Sequence, residues 1–176
     1  MIQLGHFLPG GTPLVDGKGV NETYIGMIEV GPQRLRAYVK LMPDRQLVNE
    51  LLASVLGRLV GLPVPRGFLV LVQRSDYPSS SYLLQNGFDA ASAFAVEELP
   101  HRALDRRADL ASAEARKALL CAWSKWPEAA CFDDWIANAD RHPGNLLVGG
   151  PGEVWLIDHS HAFTGDKWPR PDLCPI

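Results

Sequence analysis

Ala139-Asp140-Arg141-His142-Pro143-Gly144-Asn145, followed thirteen residues after Asn145 by Asp158 at the close of Val154-Trp155-Leu156-Ile157, decides how this chain is read. Asp, Asn, Gly and Pro together also describe an ordinary polar loop between a helix and a strand, in which Asp140 would merely cap or turn. The second aspartate changes the balance. Val154 to Ile157 reads as a buried strand, and a carboxylate at its end is directed out of the apolar layer. An aspartate, an asparagine five residues on and a second aspartate supply a proton acceptor and two oxygen ligands for a hard cation. Transfer of a phosphoryl group asks the protein for little else beyond positioning and charge stabilisation. Asp140 is the candidate base, and Asn145 with Asp158 the candidate metal ligands.

Outward from this stretch, Glu128 to Asn138 reads as a helix that delivers the loop, and Ala111 to Trp123 as a helix before it, the two broken by Pro127. Leu146-Leu147-Val148 reads as a strand turned by Gly149-Gly150-Pro151-Gly152 onto Val154 to Ile157. Upstream, Tyr24 to Val30 and Leu35 to Leu41 read as a hairpin around Gly31-Pro32-Gln33, with Arg36, Tyr38 and Lys40 on one face. A helix opens at Asp44 and carries Leu47, Val48, Leu51, Leu52, Val55, Leu56, Leu59 and Val60 at helical spacing until Gly61, Pro63 and Pro65. Glu50 lies inside it. Gly67 to Gln73 is a β-branched and aliphatic strand, Tyr82-Leu83-Leu84 reads as another, and Phe94 to Leu99 as a connector.

The first residues are rich in glycine: Gly10-Gly11-Thr12-Pro13 and Gly17-Lys18-Gly19. Such turns let backbone N–H groups approach phosphate, although the spacing is not that of a Walker loop and glycine turns are common. Gly10, Gly11 and Thr12 are carried as candidate phosphate contacts.

With 176 residues, 47% hydrophobic content and a formal charge of −3, the chain is expected to be one domain or two small lobes with a real core. It has no basic footprint for nucleic acid, its arginines being local, as at Arg102, Arg106 and Arg107. No apolar run reaches membrane-spanning length, and Met1 to Gly10 carries no secretory pattern, so a cytoplasmic protein with no membrane association is expected. Cys121, Cys131 and Cys174 are odd in number and lack C-x-x-C spacing, which argues against a disulfide framework or structural zinc.

The chain resembles the HipA-like kinases and, more distantly, the phosphoinositide lipid kinases. The residues that carry the likeness are Tyr38-Val39-Lys40, Asn49-Glu50-Leu51-Leu52-Ala53, Gly61-Leu62-Pro63-Val64-Pro65, Asp134 through Leu147, and Leu156-Ile157-Asp158-His159. The resemblance implies an α+β, protein-kinase-like bilobal fold. Its N-lobe, residues 1–99, would hold a small antiparallel sheet with one helix; a reduced, mainly helical C-lobe would span 100–176. It implies ATP and Mg2+ as cofactors, Lys40 on the phosphates, Glu50 as the anchor of Lys40, Asp140 as base and Asn145 with Asp158 on the metal. His142 and His161 match histidines of the lipid kinases that would touch the transferred phosphate; loop packing or a backbone hydrogen bond explains either equally well. His159-Ser160 replaces the Phe-Gly of protein kinases, so an activation-segment switch is not expected. Ile176 lies about eighteen residues past Asp158, and a partner protein completing the C-lobe is expected.

Three readings compete. The first is an ATP- and Mg-dependent kinase of a protein serine or threonine, with a lipid kinase as its weaker form. The second is a nucleotide-binding module that is inactive or partner-dependent. The third, a metal-dependent hydrolase built on Asp140, His142, Asp158 and His161, leaves Lys40 and Glu50 unexplained.

Overall fold

The computed structural model describes residues 2–14, 21–150 and 152–163; Gly17-Lys18-Gly19, Cys174 and the proline-rich sequence from Thr164 to Ile176, which with Trp168 reads as a docking tail, lie outside the described residues. The chain divides into two compact units, Met1–Leu47 with Arg66–Glu98, and Val48–Pro65 with Leu99–Ile176.

The first unit is built on six strands: β1 (Gln3–Phe7), β2 (Thr12–Pro13), β3 (Glu22–Val30), β4 (Gln33–Leu41), β5 (Gly67–Gln73) and β6 (Ala90–Glu97). They lie in the order β1-β5-β6-β4-β3-β2, and β1 also pairs with β3, so the sheet closes on itself through β1. Closure removes free edges that would otherwise offer unpaired backbone groups. The sheet is not wholly antiparallel as expected, because β1 runs parallel to β5. A parallel pair needs a long crossover between its strands, so no local turn signal could announce it.

The β3–β4 hairpin forms where the sequence places it, Val30 pairing with Gln33 across Gly31-Pro32, with Gly31 supplying φ 56. Along β4, Ala37, Val39 and Leu41 are buried, and Arg36, Tyr38 and Lys40 lie on the more exposed face. Ile28, Val39, Phe68, Val70, Val72 and Leu83 belong to the core between the faces.

Two stretches differ from their sequence reading. Tyr82-Leu83-Leu84 is not a strand but part of α2 (Ser81–Asn86). Ser80 caps it by accepting the Leu83 N–H, and Gly87 ends it in the left-handed conformation at φ 66. Three apolar residues are too few to tell strand from helix, whereas the Ser and Gly at its ends do. Of the stretch Phe94 to Leu99 read as a connector, Phe94 to Glu97 belongs to β6, whose Ala93, Phe94 and Ala95 are buried, and the division between the units falls after Glu98. Its alanines hide a strand because alanine has little β preference.

Helix α1 (Asp44–Leu59) begins in the first unit and continues into the second. Its apolar residues do not share one face: Leu47, Leu51 and Ala53 are buried, while Val48 and Leu52 are exposed and Leu59 is 76% exposed.

The second unit adds α3 (Ala113–Ala122), α4 (Trp126–Trp135) and a three-stranded antiparallel sheet of β7 (Arg102–Ala103), β8 (Leu146–Val148) and β9 (Val154–Leu156). It is therefore less exclusively helical than expected. Pro127 does not break a helix; it sits in the first turn of α4, where the missing N–H costs nothing. Leu62, Val64, Leu104, Trp123, Phe132, Ile136, Leu146 and Leu156 form this unit's core.

Candidate functional site

Helix α4 ends at Trp135, and the chain that follows is irregular yet partly buried, so its backbone groups need partners other than a ladder. Among the described residues, three non-glycine residues have positive φ: Ala137 at 49°, Asp158 at 58° and Phe163 at 54°. All three fall between residues 137 and 163, and the Phe163 N–H donates to the Ile136 carbonyl at 2.6 Å, linking two of these turns. Such conformations cost on the order of 1–3 kcal/mol each and persist where surrounding contacts enforce them, which is commonest at functional sites.

Those contacts are polar side chains bonded to backbone. Asn145 is buried, and its Nδ2 donates to the Asp140 carbonyl at 2.8 Å. That bond fixes the amide so that Oδ1 is its remaining acceptor. Beside it, the Ile157 N–H donates to the Asn145 carbonyl at 3.1 Å, which joins the loop to the residue before Asp158. Arg141 bridges the same two places: Nη1 donates to the carbonyls of Asn145 at 2.8 Å and Ile157 at 2.7 Å. Its other edge forks onto Asp133 of α4, Nε to Oδ2 at 2.7 Å and Nη2 to Oδ1 at 3.0 Å. Asn138 Nδ2 also donates to Asp133 Oδ1, at 2.8 Å.

From α1, Asn49 Nδ2 donates to the carbonyls of Ser160 at 2.9 Å and Ala162 at 2.8 Å. Glu50, only 1% exposed, accepts the His159 N–H at 2.9 Å through Oε2. His159 is itself buried, with its ring edge-on to Phe132 at 6.1 Å. The imidazole thus anchors the segment after Asp158 into the core, in the position where protein kinases were expected to place a phenylalanine.

The sequence candidates fall as follows. Asp140 presents an exposed carboxylate, its N–H donating to Asn138 Oδ1 at 3.4 Å. Asp158 is half-buried and accepts the Ser160 hydroxyl at 3.1 Å. His142 is exposed and its Nδ1 accepts the Gly144 N–H at 3.0 Å, the backbone hydrogen bond that the sequence left as one option. His161 is half-buried. Lys40 belongs to the first unit, near the end of β4, where it pairs with Thr23 on one side and Phe94 on the other.

Gly10, Gly11 and Thr12, the candidate phosphate contacts, lie in the first unit at and just before β2. The Gly11 N–H already donates to the Tyr77 hydroxyl at 3.0 Å, and a Cβ there would run into Phe7 and that hydroxyl. Gly11 also lies against Gly26, and Thr12 pairs with Ile25 of β3, further along that strand than Thr23, the partner of Lys40. The step of three residues from Thr23 to Gly26 spans about 10 Å of strand. Close packing thus gives Gly11 a structural use of its own.

Asn145 Oδ1 and the Asp158 carboxylate are hard oxygen donors of the kind magnesium takes, which typically keeps one or two protein carboxylates and completes its shell with water and phosphate oxygens. The donor set therefore fits Mg2+. Among the described residues, no three or more His, Cys, Asp or Glu gather to hold a metal ion. Sequence reasoning assigned no role to Asp133, Arg141 and Asn49: the last two stand in stretches that carry the family likeness, but their bonds to backbone carbonyls, and the grip of Asp133 on Arg141, leave no mark in residue type or spacing.

Among the described residues, no helix is long and apolar enough to cross a membrane. No curated protein matches the chain. The family model of the HipA-like kinases matches residues 36–170, a span that contains Lys40, Glu50, Asp140, Asn145 and Asp158. Through that match over most of its length, the chain belongs to the HipA-like kinase family.

Proposed function

We propose that this chain is an ATP- and magnesium-dependent kinase that transfers the γ-phosphate to a serine or threonine hydroxyl of a protein. The observation that supports it most is the network around Asn145, whose side-chain Nδ2 donates to the Asp140 carbonyl while its backbone carbonyl accepts the N–H of Ile157, the residue before Asp158. A base and two oxygen ligands are thereby tied to one another by two backbone links.

In the proposed reaction, the Asp140 carboxylate accepts the proton of the substrate hydroxyl as that oxygen bonds to the γ-phosphorus. The bond from the γ-phosphorus to the β–γ bridging oxygen breaks, and ADP leaves with the electron pair. Asn145 and Asp158 would hold Mg2+, which when bound neutralises charge on the phosphates. Lys40 is assigned to the α- and β-phosphates, with Glu50 its anchor. Glu50 also holds the His159 backbone, so the residue that anchors the lysine would stabilise the segment after Asp158 as well. His142 and His161 are assigned contacts to the transferred phosphate, and His142 also holds its own turn through the Gly144 N–H on Nδ1. A two-lobed arrangement follows from the same proposal.

The test is incubation with γ-labelled ATP and Mg2+, reading label on the chain, on added proteins and as free phosphate. Asp140→Asn keeps the side chain's size and should lower transfer by roughly 10²- to 10⁴-fold, the usual worth of a positioned base. If wild type transfers no label and Asp140→Asn behaves identically, transfer is lost as a function and nucleotide binding alone remains.

A further inference from the structure

We infer that Arg141, held in place by Asp133, is a positioning residue that sets the spacing of the two oxygen ligands Asn145 and Asp158. This rests on the proposed kinase function and names a residue pair to which that proposal gives no role.

Arg141 is 12% exposed and Asp133 13%, so the pair is largely withdrawn from water. One edge of the guanidinium, Nη1, donates both to the carbonyl of Asn145 itself and to that of Ile157, the residue directly before Asp158. Next to that bridge, the Ile157 N–H to the Asn145 carbonyl continues the β8–β9 ladder one step past the Leu146–Leu156 pair. Two further bonds from a planar group at this last rung, where a ladder frays most easily, act as a strut. The other edge is gripped at two points by Asp133 on α4, and Asn138 bonds the same carboxylate, so the strut is referred to a regular helix rather than to the loop.

The chemistry of the pair suits this place. Asp158 sits at φ 58, a conformation that turns toward ordinary ones unless its neighbours hold it, and both are held, His159 by Glu50 and Ile157 by Arg141. A lysine could replace the charge but not the fork that spans two carbonyls and a carboxylate. The Asp133 charge also cancels that of Arg141, so the strut adds no net positive charge where a cation is to bind. Arrangements that orient metal ligands from behind typically change metal affinity by 10- to 100-fold when lost.

The test is Mn2+ binding followed by electron paramagnetic resonance, with a non-hydrolysable ATP analogue present, on wild type, Arg141→Lys, Asp133→Asn and the control Arg66→Lys. Arg66 forms a similar fork, with Glu97 at 2.7 and 2.8 Å, but in the sheet unit. Arg141→Lys and Asp133→Asn should each weaken Mn2+ binding on the order of tenfold or more. Metal-free nucleotide affinity should stay within about twofold, and Arg66→Lys should bind Mn2+ as wild type does. Unchanged Mn2+ affinity in a folded Arg141→Lys overturns the inference and leaves the kinase proposal standing. Equal losses with and without metal, or loss of the folded state in both variants, would make the pair a structural element and overturn it too. Failure of wild type to bind metal and nucleotide would instead strike the kinase proposal itself, and the inference with it.

Discussion

The six-stranded sheet and the stretch from Asp133 to Phe163 solve the same problem in opposite ways. In the sheet, backbone groups satisfy one another along β1 to β6, and side chains such as Ile28, Val39, Phe68 and Val70 contribute by leaving water. Polar side chains there lie mostly at the surface, like the Arg36–Glu98 and Arg34–Glu29 pairs. From Asp133 onward, regular pairing is short, and Arg141, Asn145, Asn49 and Glu50 do for the backbone what a ladder does elsewhere. Buried irregular backbone is tolerated only when such partners exist. The lesson is that the first region is specified by apolar pattern and the second by individual polar residues, so the second is where single substitutions alter chemistry as well as stability.

The contrast can be broken by truncation. Phe68 is buried in the sheet core, and Phe68→Ala should cost about 4 kcal/mol in urea unfolding. Asp133→Ala should come next at about 3 kcal/mol, because it leaves the Arg141 guanidinium without its carboxylate in a largely buried place. Glu97→Gln, which weakens the more exposed Arg66 fork, should cost no more than about 1 kcal/mol. Equal costs for Asp133→Ala and Glu97→Gln would erase the distinction between a polar framework and a polar surface.

The smallest effects lie at the extremes of pH, in the sheet unit. Burial, with the hydrogen bond and charge of Glu22, raises the Tyr24 phenol to about 12. A phenol that ionises later when folded contributes stability that is complete below its unfolded value near 10 and is lost as pH rises toward 12. Burial alone would push the Glu22 carboxyl up. Hydrogen bonds from Tyr24, the Tyr82 N–H and the hydroxyls of Ser81 and Ser80 outweigh it and leave the group below the usual 4.5. Its contribution is present above 4.5 and fades as pH falls through the lower folded value. Tyr24→Phe should therefore flatten the alkaline limb of unfolding midpoint against pH, and Glu22→Gln the acid limb. Limbs identical to those of wild type would remove this pair from the account.

Much of this was legible in the chain because the informative features are local. The β3–β4 hairpin is announced by Gly31-Pro32, the start of α1 by Asp44, and the short hairpin of β8 and β9 by the glycines between them. Asp140, Asn145 and Asp158 stand out because their types and spacing are unusual together. Arg141 does not stand out, since an arginine in a loop reads as solvated until Asp133 and two carbonyls are seen around it. The parallel pairing of β1 with β5 depends on residues far apart in sequence. Helix α1 misled for a different reason: it is apolar on both sides, so periodicity alone could not say that Val48, Leu52 and Leu59 face water. Gly11 is open to two readings because the same absence of a side chain serves phosphate approach and tight packing equally well.

The central claim, that the region around Asn145 and Asp158 holds metal against nucleotide, is tested most directly by thermal unfolding with ATP, with and without Mg2+, in wild type and Asp158→Asn. At roughly a hundred times its dissociation constant, ATP with Mg2+ should stabilise wild type by about 2.7 kcal/mol. For a chain of this size that amounts to a rise on the order of 5 to 11 °C. Asp158→Asn should lose the part of that rise that depends on magnesium. A wild-type melting temperature unmoved by any pairing of nucleotide and metal, or a magnesium-dependent rise that survives Asp158→Asn intact, would contradict the account.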